Sequence, residues 1–465
     1  IICNGSASPF TPLKNDQRRR LVSVAASRLA CIYAYANLLG CDSSRLVFDG
    51  GGYIATPEGV VTRAPHLATA PWTLATGVVD LDDVARARAE NTTWRHEAIV
   101  KQVTSGPVIV DVAGDTPDPA PLADFVAQMP SSFFDAPPAN GANESDRYLD
   151  ELFDALVLGL RDYFEKVGAF QRFLIALSGG RDSALCLLMA VYAAKNLNNG
   201  QTADRYADCV STVYLPNKAY SSSATEKAAR ALAEELGVPF RVISISDEAE
   251  LALAKAAELA GGIDNVTALA RQNLQARVRG NMMLNWANSV GGLLLVTSNL
   301  SEAAVGYTTT GGDNEGGYSP VADVPKTVIS RLLERIAKRD GIKSLQQILD
   351  IPPSAELAPD QLDETDLMPY VVLDDLLYLF AKRRMTLADC WRILCHRHKD
   401  HDAEQLRTWT ATFGQLFIRN QWKRDQHPVS MKVLELDLDP KTGFRFPVTQ
   451  SIQDELDDLT RATLD

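Results

Sequence analysis

Long hydrophobic runs are missing from this chain of 465 residues. No stretch approaches the ~18 uninterrupted apolar residues that an α-helical membrane span needs, so no such span is expected. Cysteine is sparse, with seven in the whole chain, an odd number that fits a reducing cytoplasm better than a disulfide framework. Positive charge is in deficit: 46 Lys and Arg stand against 59 Asp and Glu, a net charge of −13. That balance argues against a nucleic-acid partner held through its phosphates, and against an anionic membrane surface. It does not exclude a small anionic substrate, which a local site with Mg²⁺ can hold. Internal repeats are absent, and so is a Gly-Lys-Ser/Thr ending of the Walker type.

What is present is ordinary globular composition, 46% hydrophobic and 23% charged, at a length suited to two or three domains. The chain opens Ile-Ile-Cys-Asn-Gly, without Met and without the basic leader and apolar core of a signal peptide. It reads as the middle of a buried strand, which places the start inside a domain and makes Cys3 an inert buried thiol. Ile32 to Asn37 reads as a strand, and Arg45 to Ile54 as strand–turn–strand about Gly50-Gly51-Gly52. Between Ala113 and Ser145 the composition turns to Pro, Ala, Asp, Gly and Asn, the signature of a linker.

The most informative stretch is Leu174-Ile-Ala-Leu-Ser-Gly-Gly-Arg-Asp-Ser183. Apolar residues of strand length run into Ser178-Gly179-Gly180, and helix formers follow from Ala184 to Lys195. A strand, a glycine turn and a helix make a phosphate cradle: the backbone can approach the anion, and the first helical N–H groups are free to donate. Ser178 and Ser183 add hydroxyl donors. Asp182 adds negative charge to an anion site, which makes sense if Mg²⁺ lies between carboxylate and phosphate.

A helix over Tyr148–Val167 precedes this loop. After it come strands at 211–215, 240–245 and 293–297, and helices at 223–236, 273–290, 325–338 and 373–381. This alternation predicts an α/β fold with a doubly wound, mostly parallel sheet and ligands at the carboxyl ends of its strands. Thr297 and Glu302 then lie at the end of another strand of the same sheet, where Glu302 and Asp182 can share a Mg²⁺. Asn273 and Arg277 are four residues apart and share a helix face. Glu302 as a first-turn helix acid, and Arg277 on a solvated basic face, are the plainer alternatives.

The Ser-Gly-Gly-x-Asp-Ser loop resembles that of the PP-loop ATP pyrophosphatases, which grip the pyrophosphate of ATP and transfer AMP. Further motifs follow in order: Gln-Asn-Leu-Gln-Ala-Arg-Val-Arg (272–279), Thr-Ser-Asn-Leu-Ser-Glu-Ala-Ala-Val-Gly-Tyr (297–307), Gly-Gly-Asp-Asn-Glu-Gly-Gly (311–317), Asp-Val-Pro-Lys-Thr (323–327) and Pro-Pro-Ser-Ala-Glu-Leu (352–357). Together they resemble the synthetase domain of glutamine-dependent NAD⁺ synthetases. The resemblance implies that ATP adenylates the nicotinate carboxylate of deamido-NAD⁺, and that ammonia then displaces AMP. It places Ser178, Gly179, Gly180, Asp182, Ser183 and Thr297 at ATP, and Asn273, Arg277, Asp313 and Lys326 at deamido-NAD⁺. Asp182 and Glu302 hold Mg²⁺, and Asp182, Thr297 and Lys326 stand at the reacting centre. Ser354 belongs to a mobile segment that closes over the site, and assembly is expected through the synthetase domains.

The N-terminal stretch, with Asn4-Gly-Ser-Ala-Ser-Pro9, Tyr35-Ala-Asn37 and Phe48-Asp-Gly-Gly51, is similar to the later half of the nitrilase-like glutaminase domain of those enzymes. The implied plan is 1–112 partial glutaminase, 113–145 linker and 146–465 synthetase. The glutaminase triad falls outside this sequence, so free ammonia rather than glutamine is the expected nitrogen source for the chain as given. The alternatives are another PP-loop synthetase, of guanylate, asparagine or argininosuccinate type, or a non-catalytic nucleotide sensor. Cys390, Cys395, His396, His398 and His401 cluster near the end, but their spacing fits a helix with a basic end better than a zinc site. Arg419, Lys423 and Arg424 read as solvated surface.

Overall fold

The computed structural model describes residues 1–41, 45–79, 81–90, 122–127, 129–135, 143–197, 203–354, 357–358 and 363–464. Most of the 113–145 linker, together with Ala355 and Glu356, lies outside them. The chain divides into two compact units, Ile1–Gly40 with Phe48–Met129, and Cys41–Val47 with Pro130–Asp465.

The first unit carries strands β1 (Ile2–Ser6), β2 (Tyr33–Asn37), β3 (Leu39–Cys41), β4 (Val47–Thr56) and β5 (Gly59–His66), with helices α1 (Lys14–Arg28), α2 (Leu81–Glu90) and α3 (Leu122–Ala127). The sheet order is β1-β2-β4-β3, with β5 on β4. Helix α1 turns Val22 and Ala26 onto Tyr35, Tyr53 and Ala55. Two expectations are corrected here. Cys3 is exposed, because β1 is an edge strand of this sheet. And 45–54 is not strand–turn–strand: β4 runs unbroken through the glycines, Gly50 and Gly51 taking left-handed φ of 66° and 82°. Pairing to β5 on both sides of the run, Gly50 with His66 and Gly52 with Ala64, keeps the strand extended. The Arg18 guanidinium donates to both oxygens of Asp49 at 2.7 Å, a buried pair that also ties down the Ser8 and Pro9 carbonyls.

The second unit is α/β. It contains β6 (Arg172–Ala176), β7 (Val210–Tyr214), β8 (Phe240–Val242) and β9 (Gly292–Leu294), and its helices begin with α4 (Asn143–Val167), α5 (Arg181–Lys195) and α6 (Ser223–Glu235). They continue with α7 (Ser246–Ala260), α8 (Ala268–Val290), α9 (Leu300–Val305), α10 (Lys326–Asp340) and α11 (Ser344–Asp350). Last come α12 (Asp363–Asp366), α13 (Tyr370–Leu377), α14 (Leu387–Arg397), α15 (Ala403–Arg419), α16 (Gln421–Arg424) and α17 (Gln453–Arg461). Every strand pair in this sheet is parallel, in the order β8-β7-β6-β9. Chain order therefore reverses between β6 and β9, and the crevice at their carboxyl ends is the switch point where such sheets take ligands.

Helix α5 is buried from Ser183 to Val191, which explains why its sequence is apolar nearly all round. Helix α8 starts five residues before the expected Asn273, capped by Thr267 on the Ala270 N–H, a bond of ~1 kcal/mol in typical helices. The 240–245 strand shortens to three residues because β7 ends at Tyr214 and leads into Pro216, which has no N–H to extend the ladder.

Candidate active site

Strand β6 is buried through Phe173–Ile175 and delivers Ser178-Gly179-Gly180 into α5. Gly179 has φ +81°, and a Cβ there would sit 2.3 Å from the Thr225 carbonyl, so only glycine closes this turn. The Gly180 N–H donates to Ser178 Oγ at 3.2 Å, and the Ser178 and Ser183 hydroxyls meet at 3.0 Å. Gly180 caps α5 with no side chain, so the cradle is made of backbone N–H groups and two hydroxyls.

From the neighbouring strand, β9, the chain enters α9 through Asn299. The Asn299 side chain does two things: Oδ1 accepts the Glu302 N–H at 3.0 Å as the helix cap, and Nδ2 donates to Asp182 Oδ1 at 2.9 Å. Asp182 and Glu302 thus stand together, and the Lys326 ammonium from the start of α10 bridges both. Burial alone would lower the Lys326 pKa, but the two carboxylates outweigh it and hold it above the ordinary lysine range. Burial pushes Glu302 up to about 7, with Lys326 pulling against the rise. Tyr370 donates to Asp363 at 3.2 Å and lies under the Lys326 ammonium, 5.3 Å from its ring centre. Thr297 is half-buried on the loop between β9 and α9.

A second group forms along α8. Thr309 Oγ1 donates to Asn273 Oδ1 at 2.8 Å, the Thr309 N–H to Asp313 Oδ1 at 2.7 Å, and Arg277 Nε to the Thr310 carbonyl at 3.2 Å. Asn273, Arg277 and Asp313 therefore meet on the 306–313 loop. Burial raises the Asp313 pKa, opposed by the Thr309 N–H bond. Glycine permits the close approach of loop and helix: a Cβ on Gly312 would lie 2.9 Å from the Ala276 carbonyl carbon. Ser354 is half-buried, two residues after Pro352.

Several side chains escaped the reading of the sequence. Asn299 shows a cap signal in Asn-Leu-Ser-Glu, but nothing announced its reach to Asp182. Asp363 and Tyr370 had no motif at all. The reading of Arg419, Lys423 and Arg424 as solvated surface holds for Arg419, which is exposed, and is corrected for the other two. Lys423 Nζ donates to the Gly306 and Thr308 carbonyls at 2.7 Å each. Arg424 is 3% exposed and donates to the Ala304 and Phe417 carbonyls, its pKa lowered by burial to about 10. These cations answer carbonyls in the last turns of α9 and α15 and on the loop after α9. In the late Cys/His cluster, Cys390 is buried on α14 and His398 Nε2 meets Asp375 at 2.9 Å. Among the described residues no group of three or more His, Cys, Asp and Glu could hold a metal ion.

The model of the NAD synthase family matches residues 152–425, more than half of the chain. The glutamine-dependent NAD(+) synthetase of Aquifex aeolicus is 31% identical over 451 residues, covering 97% of this chain and 70% of that protein. The Thermotoga maritima protein of the same name is 30% identical over 459 residues, covering 98% and 71%. Among solved structures, a glutamine-dependent NAD(+) synthetase from Cytophaga hutchinsonii superposes with a TM-score of 0.74 at 23% identity, covering 99% of this chain and 70% of that one. A glycine cradle at the β6–β9 switch point and relatives at this identity along nearly the whole chain agree: the chain belongs to the NAD synthase family.

Proposed function

We propose that this chain amidates deamido-NAD⁺ to NAD⁺ with ATP, releasing AMP and pyrophosphate. The observation that carries the reading is the meeting of Asp182, Glu302 and Lys326 beside the Ser178–Ser183 cradle, next to a separate Asn273–Arg277–Asp313 group. The first group suits a triphosphate, and the second suits the polar, anionic dinucleotide. Two anions must be brought together, since the nicotinate carboxylate attacks the α-phosphorus of ATP, a P–O bond forms, and pyrophosphate leaves. Ammonia then attacks the acyl carbon of the mixed anhydride, the C–N bond forms, and AMP departs. Much of the acceleration is placement and charge compensation. Lys326 supplies a fixed positive charge at the meeting point, and the α5 N–H groups with Ser178 and Ser183 hold the leaving pyrophosphate.

Mg²⁺ fits the donor set: Asp182 and Glu302 already converge on one cation, and two carboxylates completed by phosphate oxygens and water satisfy this ion. Bound there, it would offset phosphate charge. Thr297 is assigned to the nucleotide and Ser354 to a segment next to the site. Residues 1–112 are assigned to a nitrilase-like glutaminase region, 113–145 to a linker, 146–465 to the synthetase, and the location to the cytoplasm. Copies of the chain are proposed to associate through the second unit, where Leu251 (64% exposed), Leu259 (92%) and Leu269 (65%) lie on α7 and α8.

The test is NAD⁺ and AMP formation from deamido-NAD⁺ and Mg-ATP, with ammonium chloride in one tube and glutamine in the other. Product with ammonium is expected, and the glutamine tube reports whether the chain also draws on that nitrogen source. No product with either, from folded protein, would reject the acceptor.

A further inference from the structure

Arg181, the variable residue of the Ser-Gly-Gly-Arg-Asp-Ser loop, does not point toward the anion cradle's hydroxyls. Its Nη1 donates to Ser330 Oγ at 3.0 Å, and its Nη2 donates to the Leu349 carbonyl at 2.8 Å, with the Ile351 carbonyl at 3.5 Å. Ser330 lies one helical turn beyond Lys326 on α10. Consecutive loop residues therefore grip one helix at two levels, Asp182 at Lys326 and Arg181 at Ser330. Leu349 belongs to the last turn of α11, whose end carbonyls lack helical partners and carry partial negative charge. A guanidinium answers that end well, because its planar fork holds the donors to Ser330 and to the Leu349 carbonyl at a fixed spacing, which the point charge of an ammonium does not.

The chain beyond α11 leads through Pro352 and Pro353 to Ser354, and the far side is tied down separately. The buried Gln275 on α8 donates to the Leu357 carbonyl at 3.0 Å and accepts from Asn217 at 2.9 Å. One anchor of this segment thus comes from the dinucleotide-side helix, and the other from the ATP loop. Arg181 also lines a cleft of about 310 Å³ with Glu334, Lys338, Gln346, Leu349 and Asp350, so it is not locked by packing. Its Nε is buried with no hydrogen-bond partner among the described residues, so the two Nη groups fix its position.

We propose that Arg181 is a positioning residue: it couples the placement of Leu349–Ser354 to the ATP loop, so that filling the cradle orders this stretch. The inference rests on the reading of Ser178–Ser183 as an ATP site. It is tested on the full chain with Arg181→Leu, Arg181→Lys and Ser330→Ala, by ammonium-dependent kinetics and by hydrogen exchange of residues 344–354 with and without Mg-ATP. In the native chain Mg-ATP slows that exchange. In Arg181→Leu the slowing disappears and kcat falls about tenfold, while KM for ATP changes less than about threefold. Arg181→Lys does not restore the slowing, and Ser330→Ala shows part of the loss. Native exchange and kcat in Arg181→Leu overturn the proposal, as does a parallel change in KM and kcat with a lowered melting temperature. Should Arg181→Leu not fold, Ser330→Ala decides, and native values there overturn the proposal. A native chain that shows ATP-dependent slowing but makes no NAD⁺ leaves this coupling standing and rejects the acceptor instead.

Discussion

Single side chains set the electrostatics of the candidate site, and Glu302 is not the only carboxyl that burial pushes up. Asp323, in the Asp-Val-Pro-Lys-Thr motif, is 3% exposed, and its Oδ2 accepts the Val433 and Leu434 N–H groups at 2.7 Å each. Burial pushes its pKa up to about 8, the two N–H bonds pulling the other way. The sign follows from linkage. An unfolded aspartate titrates near pH ~3.9, so between there and about 8 the folded state binds more protons. This group's contribution to stability therefore falls as pH rises through that window, by at most ~1.4 kcal/mol per pH unit, and levels off above it. Asp323→Asn, which cannot titrate, should flatten the melting-temperature profile between pH 5 and 8. Parallel profiles for the two proteins would show that Asp323 is ionised throughout. The sequence named Asp323 only through its motif, since its acceptor role depends on a segment 110 residues away.

At the next level, strands and helices bring distant motifs together. Parallel pairing of β6 with β9 sets the Ser-Gly-Gly loop beside Asn299 and Glu302, 117 residues on from Asp182 in the case of Asn299. Helix α8 and the 306–313 loop form the other half, held by Gly312 against Ala276 and by the Lys423 clamp. Gly312→Ala should push the loop from the helix and raise KM for deamido-NAD⁺ about tenfold, with KM for ATP within about twofold. Lys423→Met should act in the same direction by freeing the Gly306 and Thr308 carbonyls. Steady-state kinetics with each substrate varied in turn make the comparison. An equal rise in both constants would mean that the two halves are one binding unit.

At the scale of the whole molecule the chain falls into two compact units, and the second carries exposed leucines on α7 and α8. Among the described residues no helix is long and apolar enough to cross a membrane. The exposed leucines of α7 and α8 predict self-association: the native chain should sediment above its 50.7 kDa monomer mass at micromolar concentration. Leu251→Asp with Leu259→Asp should return it to the monomer without a loss of helical circular dichroism. A monomeric native chain would reject the proposed face.

The strand–glycine–helix turn at 174–183 and the alternation of strand and helix were legible in the residues, because each depends on local rules: glycine at positive φ, free N–H groups at a helix start, and periodic apolar positions. The glycine run in β4, the exposure of Cys3, the burial of Arg424 and the reach of Asn299, Tyr370 and Arg181 were not. These depend on which distant segment supplies the partner strand, the carbonyl or the counter-charge. Neighbours in space are chosen by packing of the whole chain, and composition and spacing carry no record of them.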